Sequence, residues 1–342
     1  ANADALGVLA SAGRSDPATL NEARKLTEDA VRNNPADPAL RLVLADILEQ
    51  QGLRANAIDC LRQFRRAAPE AKDIRVILAL SDLFRLDGKQ KEVDALIDEA
   101  VATAPTEPMV VRARMRHYAD RGDFDKLIQL LNDYRKVNPE DLQTAHVGAA
   151  VLMQSGNAKH RARALEVFRE VVRAAPGWVE ARSALAFSLY LQGDLTSAVA
   201  EYRQALADNP NHVPALNDLA WILSTDRGEH EEALALANRG LGLDPNDIHL
   251  LDTRGVILRE MGRNDEAKKD FEKLVELTAT QPDRRAKALL QLARTCHRMK
   301  QLQEAARLLK QAREMDEKQS VFSEQERDEI AKLLTQCQRG QG

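Results

Sequence analysis

Seven prolines recur along this chain at intervals of 34 to 37 residues, and each follows an apolar stretch of helical character: Pro35, Pro69, Pro105, Pro139, Pro176, Pro210 and Pro245. A proline cannot continue a helix because it lacks the backbone N–H and clashes with the preceding turn. Seven glycines run in register with the prolines, and glycine tolerates the left-handed conformation that ends a helix. They are Gly52, Gly88, Gly122, Gly156, Gly193, Gly228 and Gly262. The spacing predicts a repeat of helix, glycine turn, second helix and proline stop.

A helix pair of this length cannot bury its apolar face alone, so successive pairs have to stack on one another. The chain has 342 residues, of which 44% are hydrophobic, 30% are charged and only 4% are aromatic. Such a composition supplies alanine and leucine for packing helices and few of the residues typical of sheets. We therefore expect one elongated all-α domain over residues 1–342 rather than several globular domains.

Several classes of function are disfavoured by the same composition. The formal net charge of −4 offers no basic stripe for a nucleic acid, and no apolar run is long enough to cross a bilayer. The three cysteines are far apart and form neither a disulfide framework nor a zinc motif. The chain also lacks the common nucleotide-binding, metalloprotease and hydrolase motifs. We predict a protein that is not an enzyme and needs no metal or cofactor.

The repeat is most complete over residues 179–212. Leu185, Ala186 and Leu189 lie on one face of its first helix, and the second helix carries Ala198, Tyr202 and Ala205 before Pro210. This pattern resembles the tetratricopeptide repeat, in which small residues at fixed positions let helices cross closely over about 34 residues. The resemblance implies a right-handed α-solenoid whose first helices line a concave groove.

The same pattern fits most of the chain and divides it into three parts. Residues 1–37 form a degenerate first repeat, interrupted by Gly13 and Pro17, and residues 38–319 form eight whole repeats. Residues 320–342 carry a capping helix and tail, and Ser323 with Glu326 forms a capping-box motif at its start.

Three segments depart from the pattern, and one of them is the last whole repeat, which has Lys300 and Glu317 in place of the turn glycine and the closing proline. In residues 108–141, Met115, Leu127 and Tyr134 replace small residues, which should spread the helices of that repeat and make it the weakest point of the array. Extra residues at 157–163 should lengthen the turn between the two helices of the following repeat.

The resemblance also predicts which residues face the groove, because equivalent positions of successive first helices form columns along it. These columns change from charged to apolar and aromatic across residues 142–247, and aromatic residues with an arginine rim are typical of interface hot spots. The candidate partner-binding residues are Arg112, Arg116, His146, Met153, Phe187, Tyr190, Asn217, Trp221 and Arg259.

Other interpretations of these residues remain open at this point. Phe187 and Trp221 could instead pack against the adjacent repeat as ordinary core. Asn217 could pair with a peptide main chain through both its donor and its acceptor. The lysine and asparagine clamp of chaperone-binding tetratricopeptide proteins is not reproduced, because Asp46 and Asp82 occupy its positions. An acidic chaperone tail is therefore disfavoured as the ligand.

We thus expect a non-catalytic scaffold of bacterial type that binds an extended peptide or a partner helix in its groove. An alternative rests on residues 214–221 and 250–253, which resemble tetratricopeptide proteins of bacterial exopolysaccharide export and envelope sorting. The sequence leaves the oligomeric state open, and the compartment open between cytoplasm and periplasm. A start at Ala1 rather than methionine is consistent with a fragment from which a targeting segment is missing.

Overall fold

The computed structural model describes residues 3–12, 16–67 and 72–339, which contain nineteen helices and no strand. Gly13 and Pro69 lie outside these residues. The chain divides into two compact units, Ala1–Val167 and Phe168–Gly342. The N-terminal unit contains α1 (Ala3–Ala12), α2 (Pro17–Asn33), α3 (Pro38–Gln50), α4 (Arg54–Ala67), α5 (Ile74–Leu86), α6 (Gln90–Thr103), α7 (Pro108–Asp120), α8 (Phe124–Val137) and α9 (Leu142–Leu152).

Helix α10 (Ala158–Ala174) spans the boundary between the two units. The C-terminal unit continues with α11 (Val179–Leu191), α12 (Leu195–Asp208), α13 (Val213–Thr225), α14 (His230–Leu243), α15 (Ile248–Glu260), α16 (Asn264–Leu277), α17 (Pro282–Arg298), α18 (Leu302–Gln319) and α19 (Glu324–Arg339). Within each unit consecutive helices pack as pairs, such as α3 with α4 and α11 with α12. The all-α repeat fold predicted from the sequence is confirmed.

Local sequence explains where these helices begin and end. At the start of α3, the Asp37 carboxylate accepts a hydrogen bond from the Ala39 amide at 2.8 Å, and Pro38 occupies the first helical position. Six of the seven turn glycines have positive φ angles, the exception being Gly156. Lys300 takes the equivalent position of the last repeat at a φ of 60°, so this turn keeps the left-handed geometry without glycine.

The small residues of the repeat lie where helices cross. Ala198, Ala233 and Ala267 are fully buried at the same position of successive second helices. A larger residue is matched by a smaller one nearby: a Cβ atom at Gly148 would lie only 3.0 Å from the Met115 sulfur. The close approach of helices therefore depends on complementary sizes as well as on alanine.

The C-terminal end closes with the predicted capping box. The Ser323 amide donates to Glu326 Oε2 at 2.8 Å, and the Glu326 amide donates to the Ser323 hydroxyl at 3.3 Å. Helix α19 then buries Ile330, Leu334 and Cys337 against the core of the C-terminal unit. The prediction of a capping helix is confirmed.

The expectation for residues 157–163 is only partly right: the turn between α9 and α10 covers residues 153–157 and is longer than the turn of residues 51–53 between α3 and α4, but most of residues 157–163 lie in α10. The Asn157 side chain accepts a hydrogen bond from the Lys159 amide at 2.9 Å, and α10 begins at Ala158. The inserted residues therefore extend the N-terminal end of a helix of 17 residues. A side-chain cap placed early in the segment gives its backbone N–H groups a partner and favours helix there.

Residues 108–141 remain the part of the repeat array that we predict to open first. Met115 and Leu127 are fully buried where alanine is usual, and the backbones of α7 and α8 run close together over a shorter stretch than those of α11 and α12. Amide hydrogen exchange should therefore be faster in residues 108–141 than in residues 179–212. Equal or stronger protection in residues 108–141 would show that the large side chains hold this repeat together.

Candidate partner-binding site

Two consecutive first helices of the C-terminal unit, α11 and α13, place predicted site residues around one pocket. Phe187 and Tyr190 lie one turn apart on α11, and Asn217 and Trp221 lie one turn apart on α13. Such spacing puts each pair on one face of its helix. The pocket has a volume of about 210 Å³ and is completed by residues of α12, α13 and α15: Tyr202, Asp218, Ile222, His249, Asp252 and Thr253. We call it the aromatic pocket.

The aromatic side chains of this pocket differ in exposure. Phe187 is 43% exposed, which is unusual for a large apolar residue of this chain. Tyr190 and Trp221 are half-buried and pack against the hydrophobic core of the C-terminal unit. Trp221 thus packs against the core and also lines the pocket.

A chain of hydrogen bonds lies beneath the aromatic residues. The buried Tyr202 hydroxyl donates to Asp218 Oδ2 at 2.9 Å, and the Asn217 amide donates to Asp218 Oδ1 at 3.1 Å. The Thr253 hydroxyl donates to Asn217 Oδ1 at 2.8 Å, which links α13 to α15. Asn217 therefore uses one N–H and one oxygen lone pair within the protein and keeps one of each for a ligand.

The two carboxyl groups of the aromatic pocket ionise less readily than usual. Burial raises the pKa of Asp218, although hydrogen bonds from Asn217 and Tyr202 oppose the shift. Burial also raises the pKa of Asp252, against the field of Arg259. Burial and the neighbouring Asp218 carboxylate raise the pKa of the Tyr202 phenol, which remains a donor at neutral pH.

Arg259 is not an exposed cation at the rim of a groove, which corrects the prediction for this residue. It is only 7% exposed, and its Nη1 atom donates to Gln291 Oε1 on α17 at 2.9 Å. Its guanidinium group lies 5.6 Å from the centroid of the Phe271 ring. Burial lowers the pKa of Arg259 to about 10. Arg259 does not line the aromatic pocket and instead joins α15 to the next repeat.

The other four predicted residues belong to the N-terminal unit. Arg112 on α7 donates from Nη1 to the Thr144 hydroxyl at 2.9 Å, and Arg116 donates from Nη1 to Asp82 Oδ1 at 2.9 Å. Both arginines thus bridge neighbouring first helices. His146 on α9 and Met153 at its C-terminal end are half-buried.

Sequence reasoning missed the acidic residues of the aromatic pocket. Asp218 and Asp252 stand next to apolar residues in α13 and α15, in the stretches LNDLAW and HLLDT. A charged residue within an apolar helical stretch was the available signal, because burying a carboxylate requires partners that a surface position does not.

No group of three or more histidine, cysteine or acidic side chains is arranged to hold a metal ion within residues 3–12, 16–67 and 72–339. None of the helices in the described parts of the chain is long and apolar enough to span a membrane.

The chain is similar to several known repeat proteins over parts of their length. It is 35% identical over 86 residues to interferon-induced protein with tetratricopeptide repeats 2 from Cricetulus griseus, which covers 25% of this chain and 18% of that protein. It is 23% identical over 252 residues to the DnaJ homolog subfamily C member 7 homolog from Schizosaccharomyces pombe, which covers 69% of this chain and 50% of that protein. The chain spans half or less of the length of the curated relatives it matches.

Solved structures share the fold at low sequence identity. Yeast Tom70 superposes with a TM-score of 0.64 at 16% identity, over 82% of this chain and 60% of that chain. The APC/C hetero-tetramer Cut9–Hcn1 gives a TM-score of 0.54 at 16% identity, over 87% of this chain and 57% of that chain.

Three sequence models, each describing the tetratricopeptide repeat, match different stretches of the chain. One matches residues 20–71 and 156–212, the second residues 189–255 and the third residues 247–318. Together the matches cover more than half of the chain, and they agree with the helix pairs, turn glycines and buried alanines described above. The chain belongs to the tetratricopeptide repeat family.

Proposed function

We propose that this chain is a non-catalytic scaffold that binds an extended peptide or a partner helix across the first helices of its C-terminal unit. The observation that carries the proposal is the aromatic pocket, where α11 and α13 present Phe187, Tyr190 and Trp221 together. Aromatic residues at the centre of an interface supply much of the binding free energy. One structural neighbour, Cut9–Hcn1, was solved as a hetero-tetramer, and the likeness to it supports the fold.

The polar groups of the pocket suit a ligand with a main chain. Asn217 retains one donor and one acceptor, and both are needed to pair with a peptide group. Because the hydrogen bonds to Asp218 and from Thr253 hold its amide in place, little side-chain entropy is lost on binding. The alternative role in bacterial envelope assembly uses the same surface, since Trp221, Asp252 and Thr253 belong to the stretches on which it rests.

Trp221→Ala is expected to weaken partner binding about thirtyfold, which corresponds to the loss of roughly 2 kcal/mol from one interface hot spot. The partner is first captured from the source cells with the wild-type chain, and its affinity for each variant is then measured by calorimetry. Phe187→Ala should weaken binding as well, with little effect on folding, because Phe187 is 43% exposed.

The second tryptophan provides a matched control. Trp178 precedes α11 and does not line the aromatic pocket, so Trp178→Ala should leave the affinity unchanged. If Trp221→Ala melts at a markedly lower temperature yet binds normally once folded, and Phe187→Ala also binds normally, the pocket is not the binding surface.

A further inference from the structure

The wall of the aromatic pocket contains two carboxyl groups and no matching cation. Its ten lining residues include the carboxylates of Asp218 and Asp252, the imidazole of His249, and no lysine or arginine. Within the described parts of the chain, neither carboxylate forms an ion pair with a lysine or arginine side chain. A pocket with aromatic walls and two carboxylates is complementary to a positively charged group.

Asp218 is the carboxylate better placed to meet such a group. The basic groups whose field acts on it are the imidazoles of His249 and His212, and neither a lysine nor an arginine is among them. Each Asp218 oxygen accepts one hydrogen bond within the protein, from Tyr202 or from Asn217, and each has a further lone pair. Asp252, in contrast, already lies in the field of Arg259 and Arg294.

The neighbouring pocket has the opposite character. It shares His249 and Asp252 with the aromatic pocket, but its wall also contains Arg284, Lys287 and Arg294. Basic groups are thus concentrated on one side of Asp252, and the aromatic residues with Asp218 lie on the other. This separation of charge distinguishes the aromatic pocket as the place for a cation.

We propose that the aromatic pocket binds the guanidinium group of an arginine side chain of the partner, with Asp218 as its counterion. This inference rests on the proposed function and adds the chemistry of one ligand side chain. Arginine fits better than lysine because its planar guanidinium stacks on aromatic rings and can donate several hydrogen bonds to a carboxylate at once. Phe187, Tyr190 and Trp221 supply the rings, and Asp218 supplies the free lone pairs.

The test uses the full chain and small probes that do not depend on knowing the partner. N-acetyl-arginine amide is titrated into the protein in the millimolar range, and the two tryptophan indole N–H signals are followed by NMR after assignment with Trp221→Phe. The Trp221 signal should shift and saturate, while the Trp178 signal should not. N-acetyl-citrulline amide has nearly the same shape without the charge, and it should bind about tenfold more weakly because one charge-assisted contact is lost.

Asp218→Asn should reduce the affinity for the arginine probe about tenfold and leave that for the citrulline probe unchanged. If this variant does not fold, the comparison of the two probes on the wild-type chain decides the question by itself. Equal affinity for the two probes, or no saturable shift of the Trp221 signal, would overturn the proposal. Loss of partner binding in Trp221→Ala tests the scaffold function separately, so either proposal can fail without the other.

Discussion

Phe271→Ala is expected to lower the free energy of unfolding by about 3–5 kcal/mol, as for other fully buried phenylalanines. Phe271 lies on α16 and is completely buried, with the Arg259 guanidinium 5.6 Å from its ring centroid. Its ring fills the space left by Gly255 on α15, where an added Cβ would lie 2.6 Å from the ring carbon Cζ. Urea denaturation of the full chain, followed by circular dichroism, measures the loss.

Gly255→Ala provides the matched partner for a double-mutant cycle. As a single substitution it should lower the free energy of unfolding by about 1–3 kcal/mol, because the new methyl group overlaps the Phe271 ring. In the Phe271→Ala background the ring is gone, and alanine in a helix is favoured over glycine by about 1 kcal/mol. The same substitution should then become neutral or stabilising. If the free-energy losses of the two single variants simply add in the double variant, the ring of Phe271 does not fit against Gly255.

Tyr202→Ala is the second substitution that we expect to lower the free energy of unfolding strongly, also by about 3–5 kcal/mol. Tyr202 is completely buried, and its hydroxyl is one of two donors to Asp218. Tyr202→Phe keeps the ring and removes only that donor, so it should cost about 1–3 kcal/mol at neutral pH. If urea denaturation gives the same loss of unfolding free energy for both variants, the ring of Tyr202 does not contribute separately from its hydroxyl.

The loss in Tyr202→Phe should become smaller at acidic pH. Burial raises the pKa of Asp218 in the folded protein, so ionising this group costs stability as the pH rises from its unfolded pKa, about 3.9, through its folded pKa. Without the Tyr202 hydroxyl the folded pKa of Asp218 rises further. The two proteins should therefore differ most above that pKa and least where Asp218 is protonated.

Tyr134→Phe in the N-terminal unit is the control for this pH dependence. The Tyr134 hydroxyl donates to Asp141 Oδ2 at 2.6 Å, a pair of the same chemistry. Burial opposes the ionisation of Asp141, yet hydrogen bonds from Tyr134 and Thr144 hold its pKa below the usual value. The loss in Tyr134→Phe should accordingly persist to lower pH than the loss in Tyr202→Phe. Identical pH profiles would show that the two carboxyl groups ionise alike.

Much of the fold could be predicted from the sequence because its signals are local. A proline stop, a left-handed glycine or a capping box acts on backbone groups within a few residues, as Ser323 and Glu326 show. The prediction was only partly right at residues 157–163: the turn before α10 is longer than in other repeats, but most of these residues are helical. The Asn157 cap, itself a local signal, was overlooked there.

The candidate site was predictable only in part. The columns of first-helix residues identified Phe187, Tyr190, Asn217 and Trp221, which the structure brings to one pocket. The column that contains Tyr190 also suggested a free cation at Arg259, which is buried against Gln291, 32 residues further along the chain.

The sequence by itself determined the helices, their turns and the register of the repeats, since periodic spacing fixes which residues share a face. Only the tertiary structure decided which of those residues are buried, paired or open to a ligand. Asp218 lines the aromatic pocket as a hydrogen-bonded carboxyl group because packing brings it close to the hydroxyl of Tyr202, which is 16 residues away in the sequence. Burial and ion pairing depend on neighbours brought close by packing, and no spacing along the chain reports them.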